Sequence, residues 1–88
     1  MSTLVRLRPG AVEWREVDGE LIVLDMRAST YFAVNRTGAA IWPDLVAGAS
    51  RAELESRLMD SFGVDQEIAA RDVDAFLGQI GERGLLES

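Results

Sequence analysis

Tyr31-Phe32-Ala33-Val34-Asn35-Arg36-Thr37-Gly38-Ala39-Ala40-Ile41-Trp42 decides how the chain folds. Its first four residues are aromatic, small or β-branched, which suits a pleated, half-buried strand. The strand then stops. Asn35 and Thr37 are both helix N-cap residues, and an apolar helical pattern follows at Ala40, Ile41 and Leu45. One short segment therefore ends a sheet and begins a set of helices. Before it the chain reads as strand, after it almost entirely as helix.

Upstream, residues 1–10 hold Leu4, Val5 and Leu7 and close on Pro9-Gly10, a turn signal. This arm can add a strand or pack loosely; the residues leave both open. From Ala11 to Val17 apolar and charged residues alternate, with Val12 and Trp14 on one face and Glu13 and Arg15 on the other. Asp18-Gly19 is the favoured type I′ hairpin dipeptide, so the next strand folds straight back. That strand, Glu20 to Asp25, has a continuous Leu-Ile-Val-Leu run suited to a central position. Tyr31 to Val34 forms the third strand of a meander and keeps one free edge. Phe32 and Tyr31 alternate, and Tyr31 is the one expected to face solvent.

Downstream, a first helix is expected from about Arg36 to Ala47, with Pro43 either kinking it or delaying its start. Gly48 closes it. Ser50 and Glu53 form a capping box for a second helix with a buried stripe at Leu54, Leu58 and Phe62, ended by Gly63. A third helix lies between about Asp65 and Arg83, with Ala69, Val73, Phe76, Leu77 and Ile80 on one face. Gly78 and Gly81 weaken it and narrow its surface, for another backbone or for close packing on the sheet. Leu85-Leu86 is expected to fold back onto the core, and about five of the six aromatic residues are expected in it. The fold class is α+β, winged-helix-like: a three-stranded antiparallel sheet followed by a three-helix bundle, in one domain over 1–88.

Composition excludes several function classes. The chain has 88 residues, no Cys and no His, so it offers neither a disulfide nor a zinc-thiolate site, and lacks the usual general base near neutral pH. The longest apolar run, Leu21 to Leu24, is far too short to span a membrane, and MSTLVRLRPG has no apolar signal-peptide core. A cytoplasmic protein without membrane attachment is the expectation. The net charge is −6 and every basic residue is Arg. A winged-helix DNA-binding regulator, the alternative with the same topology, needs a basic recognition helix. Here the third helix carries Asp65, Glu67, Asp72, Asp74 and Glu82 against Arg71 and Arg83. No carboxylate dyad, phosphate loop, cofactor site or metal site emerges from the spacing, so no catalytic residue is assigned.

The pattern YFAVN-x-TGAAIW, then LVAG, then SRAELESRLMDSFGVD, then DVDAFLGQIGERGLL, resembles the PqqD-like family over about residues 10–86. These are RiPP recognition elements, and the TGAAIW wording is most similar to the stand-alone leader-binding proteins of lasso-peptide pathways. The resemblance implies a monomeric, non-catalytic adaptor that binds the leader segment of a precursor peptide. It also implies partner enzymes: a cysteine-protease-like leader peptidase and then an ATP-dependent cyclase. The leader would add as a strand along residues 31–35, at Tyr31, Phe32, Ala33 and Val34 above all, the mode in which backbone hydrogen bonds give affinity and pockets give specificity. Its side chains would enter a groove lined by Phe32, Val34, Val73, Phe76, Leu77 and Ile80, with Leu77 and Ile80 turned to the groove more than Val34 and Phe76. Asp72 and Asp74 would meet Lys or Arg of the leader.

Overall fold

The computed structural model describes residues 3–87. Met1, Ser2 and Ser88, which fall within the expected arm and domain limits, lie outside the described residues. The main sheet has three antiparallel strands in the order β2 (Val12–Val17), β3 (Glu20–Asp25), β4 (Thr30–Val34). Asp18 and Gly19 both have positive φ, 53° and 81°, the signature of the type I′ turn that the dipeptide encodes. At the other end of β3, Asp25 is buried and its Oδ1 accepts from the backbone N–H groups of Arg27 and Ala28 at 3.1 and 3.2 Å. This turn sends the chain back as β4.

The arm adds the strand that its residues left open, and the partner of that strand was not legible in the sequence. β1 (Leu4–Val5) pairs antiparallel with β5 (Ala49–Ser50), and Leu7 bridges to Leu86. The N-terminal arm is thereby tied to the helical side: the Leu7 N–H donates to the Leu45 carbonyl, and the Arg8 N–H to the Leu85 carbonyl. Two-residue strands carry no periodicity of their own, and only tertiary pairing defines them.

The helices follow the capping signals. α1 spans Arg36–Ala47, and Asn35 caps it by accepting from the Gly38 N–H at 2.8 Å. It runs through Pro43 without a late start. α2 spans Arg51–Phe62 with the reciprocal Ser50/Glu53 capping box and a left-handed Gly63 at its end. α3 spans Gln66–Glu82, capped by Asp65. The Leu85 N–H donates to the Ile80 carbonyl after a left-handed Gly84, which returns Leu85 to the core.

Leu21, Val23 and Val34 of the sheet pack against Ile41, Leu45, Leu54, Leu58, Val73 and Ile80 of the helices. The opposite sheet face, with Glu13, Arg15, Tyr31 and Ala33, is open. The aromatic residues are less buried than expected. Trp42 and Phe76 are core, Phe32 is half-buried, and Trp14, Phe62 and Tyr31 are exposed by 44%, 38% and 72%. Trp14 lies on the helix-facing side of an edge strand, and only Trp42, edge-on at 5.9 Å, stacks against it. Phe62 is the last residue of α2, past the packed stripe, with the Arg36 guanidinium 5.9 Å from its ring centre.

Of the two glycines in α3, a Cβ added at Gly81 would meet Leu86 at 3.7 Å, whereas one at Gly78 meets nothing within 4 Å. Gly78 thus serves no close packing within the domain, and it is not among the residues lining the groove. Gly78→Ala is expected to stabilise the domain by about 1 kcal/mol through helix propensity alone. Thermal denaturation followed by circular dichroism checks this; a lower midpoint would mean that the position has a contact role.

Candidate functional site

The hairpin turn fixes which backbone groups of β4 are free. A two-residue type I′ turn makes its flanking residues, Val17 and Glu20, a hydrogen-bonded pair, and such pairs alternate along an antiparallel ladder. With the observed register, Arg15↔Ile22 and Glu13↔Leu24 are then bonded pairs too. Leu21, Val23 and Asp25 must direct their backbone groups to β4, where they face Val34, Phe32 and Thr30. Tyr31 and Ala33 are left with N–H and C=O aimed at the open edge. Their side chains lie on the open sheet face, and those of Phe32 and Val34 on the face toward α3.

The two edges of the sheet differ chemically. β2 carries Glu13, Arg15 and Glu16, and Glu16 is an exposed charge on the helix-facing side. Inward-pointing charge on an edge strand blocks pairing with another strand. β4 carries no charged residue.

Beside the β4 edge runs a groove of about 460 Å³ against α3, lined by Phe32, Ala33, Val34 and Asn35 and, from the helix, by Phe76, Gln79, Ile80, Glu82 and Arg83. The Arg83 guanidinium sits 4.1 Å from the centre of the Phe32 ring, a cation–π contact that closes one end. Phe76 forms the floor near the other end. Trp42 is edge-on to it at 6.3 Å, and Gly38 lies against its ring and against Val34.

The sequence-derived residues are thus placed unevenly. Phe32, Ala33, Val34, Phe76 and Ile80 line the groove, although Ile80 is almost wholly buried as its floor. Val73 and Leu77 do not; both are closed into the core cluster. The expectation that Leu77 turns to the groove is corrected: it is 6% exposed and belongs to the core cluster. Tyr31 offers its backbone to the edge and its ring to the open face. Asp72 is half-exposed and lies one turn before Phe76 in the same row, beyond the lined part of the groove. Asp74 is engaged elsewhere, in an ion pair with Arg51. Asn35, Gln79, Glu82 and Arg83 were missed. Gln79 and Arg83 fall three and seven residues after Phe76, so helical spacing alone could have found them.

Among the described residues there is no group of three or more His, Cys, Asp or Glu able to hold a metal ion. No helix of the described residues is long and apolar enough to cross a membrane.

Comparison with known proteins adds to this geometry. No curated protein matches the chain at a significant level. Two solved structures match nearly its whole length. One is TbiB1 in complex with the TbiA(beta) leader peptide, with TM-score 0.83 and 28% identity over 94% of this chain and 95% of that one. The other is a lasso peptide synthetase B1 complexed with the leader peptide, with TM-score 0.80 and 30% identity over 96% of this chain and 98% of that one. The family model for coenzyme PQQ synthesis protein D matches residues 20–86, from β3 through β4 and α3 to the C-terminal tail. With strand, groove and helix all inside that match, the chain belongs to the PqqD family.

Proposed function

We propose that the protein is a non-catalytic adaptor that binds the leader segment of a ribosomally made precursor peptide, of the lasso class, and presents it to a separate leader peptidase. The observation that carries this reading is the uncharged open edge of β4 beside a groove with an apolar floor, in a chain similar to two leader-peptide complexes. The leader adds as a strand antiparallel to β4. Its backbone bonds to Tyr31 and Ala33, and every second side chain enters the groove between Phe32, Val34 and Phe76.

The magnitudes are consistent with binding. Roughly four backbone hydrogen bonds at about 0.5–1.5 kcal/mol each contribute a few kcal/mol. Ordering a flexible leader costs about 2–5 kcal/mol, so hydrogen bonds alone roughly break even. The surplus must come from apolar anchors, each contributing about 1.5–3 kcal/mol when fully buried. Two anchors fit the short apolar stretch from Val34 to Phe32.

The test is a titration of isotope-labelled protein with unlabelled leader, followed by amide shifts. Perturbations are expected at residues 30–36 and along 72–83. Shifts confined to the β2–β3 hairpin or to α2 would move the binding surface elsewhere. In parallel, the protein alone should leave the precursor unchanged in mass while accelerating its cleavage by the peptidase. A mass change produced by this protein alone would refute the non-catalytic role.

A further inference from the structure

An open strand edge accepts a peptide in either direction, because parallel and antiparallel ladders both satisfy its backbone groups. Something else must orient the ligand. Resting on the leader-binding reading, we infer that Asp72 and Arg83, the charges at the two ends of the groove, fix the leader's direction and its charge pattern. The substrate class is a segment with a basic residue before two apolar anchors and an acidic residue after them.

The geometry is as follows. Asp72, Phe76, Gln79 and Arg83 fall in one row of α3 at spacings of four, three and four. Phe76 marks the Val34 end of the groove, since both side chains crowd Gly38. Arg83 marks the Phe32 end, where its guanidinium lies over the ring. Neither Asp72 nor Arg83 is in an ion pair among the described residues. Eleven residues of helix separate them by about 16 Å at 1.5 Å per residue.

A strand antiparallel to β4 enters at Val34 and leaves at Thr30. Its groove-facing residues come at every second position: one opposite Val34, the next opposite Phe32. The position before the first anchor on this face lies toward Asp72, and the position after the second lies past Arg83. The order is therefore basic, apolar, apolar, acidic at alternate positions. Six strand steps cover about 20 Å, and the few ångströms of difference from the helix are within the reach of a Lys or Arg side chain. Parallel addition of the same peptide would put like charges together at both ends. Glu82 also lines the groove, but it lies about 100° around α3 from Arg83, so the guanidinium over Phe32 is met first.

The experiment uses two synthetic peptides of identical composition. One has the basic–apolar–apolar–acidic order at alternate positions, and the other exchanges the two charged residues. Binding direction is read at low and high salt from a spin label at the peptide N-terminus, which broadens nearby amides. The label is expected to broaden residues around Val34 with the first peptide and around Thr30 with the second, because each peptide binds in the direction that pairs its charges with Asp72 and Arg83. The difference should shrink with added salt. The preference should invert in the double variant Asp72→Lys/Arg83→Glu, whose circular dichroism should match the parent. Asp72→Lys alone, which spares the Phe32 contact, should abolish most of the preference. The same binding direction for both peptides, with amide shifts at β4, overturns the charge inference and leaves the leader-binding reading standing. Failure of both peptides to perturb β4 overturns both.

Discussion

Ala33→Pro is expected to leave the domain folded and to weaken leader binding by roughly tenfold to a hundredfold, about 1.4–2.8 kcal/mol. The hairpin register places the Ala33 N–H on the open side of β4, so removing it breaks no bond to β3. Proline fits on an edge strand in that position. Its side is also open, because the Ala33 side chain lies on the exposed sheet face. On the leader side the change removes one hydrogen-bond donor. It also puts the ring Cδ where the leader backbone must approach, which disturbs the neighbouring bonds as well. The loss therefore exceeds that of a single bond, about 0.5–1.5 kcal/mol. Phe32→Pro is the matched control: its N–H faces β3, and the same substitution there should unfold the sheet. Calorimetric titration with the leader, with thermal melts of both variants, reads the two effects separately. A folded Ala33→Pro protein with unchanged affinity would remove β4 as the docking edge.

Much of the fold was legible because local signals agree with tertiary demands. Asp18-Gly19, Asn35, Ser50 with Glu53, Asp65 and the terminal glycines each fix a boundary by backbone chemistry, independent of packing. The β4 edge was legible for a related reason: a connection as short as residues 26–29 makes the next strand pair with its predecessor, a meander with that strand outermost. The groove was legible only in part. Helical spacing identifies a broad apolar face of α3, but it does not say which flank is closed into the core and which borders the sheet edge. Val73 and Leu77 fell on the first flank, Phe76 and Ile80 near the second. Arg83 was read only as a charge of the third helix, since only the fold brings it over Phe32, fifty-one positions earlier in the chain. β1 was left open as a strand of the arm and β5 left no trace, because two residues cannot display a period.

Gly38→Ala, ordinarily a stabilising change inside a helix, is expected here to destabilise the domain and to disturb the groove together. Gly38 lies in α1 with helical geometry, so alanine gains about 1 kcal/mol of propensity. Against that, an added Cβ would come within 2.6 Å of both the Phe76 ring and the Val34 side chain. Contacts that short force movement, and neither neighbour is a flexible surface chain. Phe76 is buried and held edge-on by Trp42, and Val34 is fixed in the β4 ladder. Overpacking of this kind costs about 1–3 kcal/mol and occasionally more, and two simultaneous clashes place it at the upper end. The net loss is then about 1–2 kcal/mol, and Gly38→Val, with more volume and less propensity gain, should lose more. For a domain of this size, stable by roughly 5–13 kcal/mol, either protein remains folded at room temperature. Phe76 and Val34 both line the groove, so their displacement moves atoms into the space a leader anchor needs. Leader affinity should therefore fall in the same variants. Urea denaturation and leader titration measure the two losses. A Gly38→Ala protein more stable than its parent would show that Phe76 can shift freely, and that this contact does not shape the groove.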